Sequence, residues 1–249
     1  MRDFTLDEIK ALVPEARKFL PTGDAWLDGR FQWEAQSSNQ PKPYYKMFWL
    51  LAQALQPEFV VELGAWRGIG AAHFAAGGAG LVATIDHHSD PGDEENKRWV
   101  LETVDRYPNL RYLQGWTWDV GVVDQVAELG QPDLVFIDGW HVYEYALPDW
   151  LIYSRLLADR ALVICDDLAD IGGTPIQGME QFWEELPGYP NEPQRWLDGA
   201  QAQLEQRGVT TRLVWDDLPG SPWAGTADKW LAGTALATYP MGFMKVERV

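Results

Sequence analysis

From about residue 58 to residue 167 the chain alternates short apolar runs with longer segments of mixed pattern. The runs EFVVEL (58–63), GLVATID (80–86), LRYLQG (110–115), PDLVFID (132–138) and RALVICDD (160–167) read as strands. Most are apolar on both faces, as strands buried in a parallel sheet are. Between them lie helical segments at about 69–76, 93–106, 119–129 and 145–158. Repeated strand and helix alternation predicts a parallel sheet covered by helices on both faces.

The two ends of the chain follow a different rhythm. Thr5 and Glu8 have the spacing of a capping box, which predicts a helix from Leu6 to Phe19. The stretch from Pro21 to Pro43 reads as irregular, and a second helix is expected from Pro43 to Leu55. Beyond Asp167, a short helix at EQFWEEL and another from Arg195 to Arg207, ended by Gly208, precede two last strands, TTRLVW (210–215) and MGFMKVER (241–248). The long polar segment from Asp216 to Pro240 joins them, and loops of that length are usually functional or disordered. The expected architecture is α/β: a Rossmann-like, doubly wound, mostly parallel sheet of seven strands. One domain would hold an N-terminal helical extension (1–43), a core (44–168) and a C-terminal part (169–249).

Composition narrows the partners. A formal charge of -17 disfavours a polyanionic ligand, so no nucleic-acid partner is expected. Cys165 is the single cysteine, which excludes an internal disulfide and a cysteine-built zinc site and fits a reducing, cytoplasmic setting. No run approaches the ~20 apolar residues of a membrane span, and the charged N-terminus lacks a signal-peptide core. Fourteen tryptophans are many for this length, and some are expected to line a pocket.

The chemistry collects where strands end. After the first strand of the alternation come Gly64, Gly68 and Gly70, spaced G-x-x-x-G-x-G rather than as the G-x-G-x-x-G of a dinucleotide site. Glu62 precedes them, and a carboxylate there repels a pyrophosphate and suits a cationic ligand. Asp86 ends the second strand about 20 residues on, where an acid can accept ribose hydroxyls. Asp138 ends the fourth. The set points to S-adenosylmethionine, whose sulfonium and amino groups are positive.

The segments VVELGAWRGIGA, ATID, DLVFIDGWHVYE and ALVICDD, in this order, resemble class I S-adenosylmethionine-dependent methyltransferases. The likeness is nearest to small-molecule O-methyltransferases of the macrocin and cephalosporin-biosynthesis type and covers about Tyr44 to Leu168. It implies cofactor contacts from Glu62, Gly64 and Gly68 and ribose contacts from Asp86. It also places Gly115 and Trp116 beside the adenine, although Trp116 and Thr117 depart from the Gly-Asp/Ser-type turn of the relatives. Trp116 is placed either to stack on the base or simply to pack. Family relatives are often oligomeric, and the N-terminal helices are available for an interface between copies.

Methyl transfer to oxygen requires alignment and an activated hydroxyl. Asp138, Asp166 and Asp167, from two strand ends, form an oxygen set for a divalent metal such as Mg²⁺. His141, three residues after Asp138, is the general-base candidate, and macrocin-type relatives carry a similar Asp-x-x-His element. The alternative is that His141 caps the next helix while Asp138 helps anchor the cofactor. Aromatic residues at 44–49 and 140–145, with Trp223 and Trp230, suit an aromatic or glycosylated small-molecule acceptor. A metal-independent O- or N-methyltransferase and a non-catalytic cofactor-binding protein remain as alternatives. His73, His87, His88, Arg67 and Cys165 carry weaker signals, and for Cys165 a structural role is expected.

Overall fold

The structure, a computed structural model, describes residues 1–37, 43–168, 178–232 and 241–248. Five parallel strands, β1 (Phe59–Leu63), β2 (Leu81–Asp86), β3 (Leu110–Gln114), β4 (Leu134–Ile137) and β5 (Arg160–Cys165), are joined by helices α5 (Ile69–Ala76), α6 (Glu94–Arg106), α7 (Val120–Leu129) and α8 (Tyr143–Tyr153). Two further strands, β6 (Gly225–Leu231) and β7 (Gly242–Arg248), pair antiparallel, and β7 also pairs antiparallel with β5. The sheet order is β3-β2-β1-β4-β5-β7-β6, so strand order reverses between β1 and β4. That is the doubly wound, seven-stranded, mostly parallel sheet the alternation predicts.

Each central strand is buried on both faces because its side chains alternate between two cores. Val61 and Leu63 of β1 face one core with α7, α8 and α10 (Pro193–Gln206). Val60 faces the other, which α4 (Pro43–Leu55), α5 and the N-terminal helices cover. Phe136 of β4 belongs to that second core, fully buried with its ring 4.6 Å from that of Phe48 on α4.

Three elements differ from the sequence expectation. The first helix splits into α1 (Leu6–Lys10) and α2 (Val13–Ala16), because Pro14 has no N–H to continue the ladder and is tolerated only in a first turn. The stretch read as irregular contains α3 (Ala25–Ser37), opened by Asp24, whose carboxylate accepts from the amides of Trp26 and Leu27. Leu27 and Phe31 anchor it to the core despite its weak apolar period.

The third concerns TTRLVW, which is no strand. The amides of Leu213 and Trp215 bond to the side chains of Gln201 and Gln194 on α10, and a 3-10 turn follows at Trp215–Asp217. The sixth strand is β6, inside the segment read as a loop. It is mostly exposed at the sheet edge, and its Lys229 caps backbone carbonyls of Trp183 and Leu186, as charged residues on edge strands often blunt further pairing. The rest of that loop, 233–240, lies outside the described residues, as does the segment after Leu168 up to residue 177.

Removing the Phe136 ring leaves a cavity between β4 and α4. Phe136→Ala is expected to cost about 3–5 kcal/mol of unfolding free energy, read from the denaturant midpoint at unchanged slope.

Candidate active site

Parallel strands that end at one edge bring their following loops together, and the switch between β1 and β4 makes that edge concave. The first loop is held tightly. The amides of Gly64 and Ala65 both bond to the carbonyl of Ile85, at 3.0 Å each. Gly64 has φ +99°, and a Cβ there would lie 2.1 Å from the carbonyl oxygen of Asp138, so only glycine lets these two strand ends meet. Trp66 then donates its amide to Asp86 Oδ2 at 2.9 Å, and Gly68, at φ +72°, opens α5.

Glu62 supports this turn from below. It is 2% exposed, and Thr84 donates to its carboxyl group at 2.5 Å. Burial pushes its pKa well up against the hydrogen bond from Thr84, with the charges of Asp138 and Asp86 adding to the rise. A Cβ on Gly70 would fall 2.1 Å from its Oε1, which accounts for the third glycine of the turn.

Above the turn lies a cavity of about 330 Å³ lined by Gly64, Asp86, Gly115, Trp116, Asp138 and Asp149, among others. No lysine or arginine is among its described lining residues. A run of stacked rings borders it: His87 on Trp116 (centroids 4.1 Å apart), Trp116 near Trp118, Trp118 on Tyr145 (5.2 Å) and Tyr145 on Trp140 (4.6 Å). Trp66 and Trp140 remain 54% exposed at the rim.

Beside the cavity two acids clamp one imidazole, and a third lies next to them in the chain. His141 Nε2 lies 3.1 Å from Asp138 Oδ1, and Nδ1 lies 2.5 Å from Asp167 Oδ2. Burial disfavours the charged ring, but hydrogen bonds and charges from Asp138 and Asp167 outweigh it and raise the His141 pKa to about 11. At neutral pH the ring is therefore an imidazolium that donates from both nitrogens. Asp166 is buried, its Oδ1 has no hydrogen-bond partner among the described residues, and its pKa is pushed well up by burial and then by the charges of Asp138 and Asp167. Tyr44 of α4 is close enough to feel both Asp138 and Asp166.

Thus Gly64, Asp86, Gly115, Trp116 and Asp138 reach one cavity, while Asp138, Asp167 and His141 form one hydrogen-bonded group next to it. Glu62 and Gly68 do not line the cavity; they shape the turn beneath it. Nor do Asp138, Asp166 and Asp167 gather three ligand atoms within 4.8 Å of one another. Among the described residues the group that does is His87, Asp90 and Asp93 at the rim, where Asp90 is already paired with Arg207. Sequence reasoning missed Asp149, whose signal was a lone acid in the apolar run YALPDWLIY.

Comparison with known proteins agrees with this geometry. Residues 61–168, from β1 to just past Asp167, match the family model described as a methyltransferase domain (Methyltransf_24). No curated protein matches the chain. Among solved structures, the O-methyltransferase TomG from Streptomyces achromogenes, involved in tomaymycin synthesis and solved with S-adenosylmethionine, is 14% identical, with 98% of this chain and 100% of that one covered and a TM-score of 0.56. A structure described as a putative caffeoyl-CoA O-methyltransferase from Staphylococcus aureus is 15% identical, with 96% and 99% covered and a TM-score of 0.54. The O-methyltransferase from Bacillus cereus, solved with S-adenosylhomocysteine, is 18% identical, with 100% and 92% covered and a TM-score of 0.50. At such identities the likeness speaks for the fold. Residues 61–168 are thus similar to a methyltransferase domain, and the fold around them is shared with these O-methyltransferase structures, as the sequence resemblance implied.

The clamp on His141 has a pH signature. Its folded pKa lies above the unfolded value near 6.5, so the stability it contributes is complete below that pH and is lost as pH rises toward 11. Unfolding free energy measured from pH 6.5 to 10 is expected to fall more steeply in the wild type than in His141→Gln; parallel curves would contradict the clamp.

Proposed function

We propose that the chain transfers a methyl group from S-adenosylmethionine to a hydroxyl of a small-molecule acceptor. The observation that carries this reading is the meeting of Gly64, Asp86 and Asp138, from the ends of three adjacent strands, on one cavity wall without lysine or arginine among its described residues. Such a wall suits a cationic nucleoside better than a pyrophosphate. When bound, S-adenosylmethionine supplies an electrophilic methyl group on its sulfonium. Asp86 keeps lone pairs beyond those used by the amides of Trp66 and His88, and these accept the ribose hydroxyls. Gly64 lets the backbone approach the tail of the ligand, and the exposed indoles of Trp66 and Trp140 favour an acceptor with ring or apolar character.

The oxygen set of Asp138, Asp166 and Asp167 has the chemistry of a Mg²⁺ site, and the unpartnered buried oxygen of Asp166 is the feature that fits a cation there. Mg²⁺, when bound, lowers the pKa of an acceptor hydroxyl. In the structure the counter-charge to Asp138 and Asp167 is the His141 imidazolium. His141 can accept a proton only once one of those carboxylates is engaged elsewhere, so its role as base and the metal site are linked. The separation of the three acids favours a second reading in which no metal takes part, and the acceptor itself engages Asp138 or Asp167 and so frees His141 to serve as the base.

Calorimetric titration of S-adenosylhomocysteine into chelator-stripped protein tests the assignment. Binding is expected, weakened at least about 10-fold by Asp86→Ala, the size of a lost hydrogen bond to a charged group. A Mg²⁺ heat abolished by Asp167→Asn supports the metal-assisted form, and its absence the second reading. A wild type that does not bind the ligand contradicts both.

A further inference from the structure

Asp149 sits on α8 inside an apolar helix face and is 2% exposed, yet it lines the same cavity as Asp86 and Asp138. Its two oxygens are used unequally. Oδ1 accepts the hydroxyl of Thr117 at 2.6 Å and the indole N–H of Trp118 at 2.8 Å. Oδ2 takes no hydrogen bond from the described residues and lies at the cavity wall by Gly139, where a Cβ would come within 3.2 Å of it. Oδ2 is thus left open to accept a donor from whatever occupies the cavity. Burial pushes the Asp149 pKa to about 7 against the help of Thr117 and Trp118.

The position of that oxygen along the cavity says what the donor is. Asp86 is the strand-end acid about 20 residues past the glycine turn, the place of a ribose reader, and the turn itself faces the tail of the ligand. Thr117 and Trp118 hold Asp149 beside the stacked indoles of Trp116 and Trp118, a flat apolar part of the cavity wall that suits a base. Adenine presents an exocyclic amine, a hydrogen-bond donor, where a 6-oxo purine presents an acceptor. We propose that Asp149 is the residue that selects the adenine base, its Oδ2 accepting a hydrogen from the exocyclic amine. This rests on the cofactor reading above and adds a specificity determinant to it.

An anchoring role alone uses only Oδ1, and the Asn variant separates the two roles. The donors of Thr117 and Trp118 force the amide oxygen of Asp149→Asn into the Oδ1 position, which turns its NH₂ toward the base. Titrating S-adenosylhomocysteine and S-inosylhomocysteine, its 6-oxo counterpart, into wild type and Asp149→Asn reads the outcome. The wild type is expected to prefer the adenine ligand by at least about 10-fold, and Asp149→Asn to lose or reverse that preference. Equal affinities in the wild type, a comparison that needs no variant, overturn the proposal while leaving the cofactor reading standing. So does an Asp149→Asn protein that weakens both ligands by the same factor. A wild type that binds neither ligand removes the cofactor reading and this inference with it.

Discussion

The contact on which the rest of the structure depends is the approach of Gly64 to the carbonyl of Asp138. Two neighbouring parallel strands end there, and any side chain at Gly64 would separate them. Because they meet, the loop after β1 turns sharply, Trp66 reaches Asp86, and α5 starts directly over the buried carboxyl group of Glu62. The cavity is the space left above that junction. Its acids come from the end of β2 and the loop after it, from the end of β4 and from α8, and no one segment could supply them all.

Collecting acids at one sheet edge has an electrostatic cost, and the structure meets it in three ways. Glu62, Asp149 and Asp166 are buried, and burial raises the pKa of all three, that of Asp149 only to about 7, so that a donor reaching its Oδ2 holds it in the ionised form. Asp138 and Asp167 stay together because the His141 imidazolium lies between them. Asp86 remains at the cavity wall with two backbone amides and spare lone pairs. Such an arrangement favours a ligand that brings positive charge and hydrogen-bond donors, which is the chemistry of a sulfonium nucleoside.

The parallel core was legible because period and length decide it: buried strands read as continuous apolar runs, and their end acids and glycines stand out against them. The edge of the sheet was not, since β6 is polar, mostly exposed and held by a single antiparallel partner, while TTRLVW has strand composition but donates its amides to glutamine side chains. α3 was hidden because its stability comes from Leu27 and Phe31 packing against distant helices rather than from its own period. In the site, Asp86 and Asp138 are where their strand ends put them. The buried position of Glu62 follows from the pleat: alternation sends it to the α5 side of the sheet, away from the cavity, which strand-end position alone does not reveal. Asp149 was invisible for the opposite reason, since its helix carries it into the site from a segment with no motif.

The most direct measurement is a crystal structure of the protein grown with S-adenosylhomocysteine. The account predicts the ligand in the cavity above Gly64, its ribose hydroxyls on the Asp86 carboxylate and its base against the wall formed by Gly115 to Trp118. A ligand bound elsewhere on the chain, or one in the cavity with its ribose away from Asp86, would contradict it.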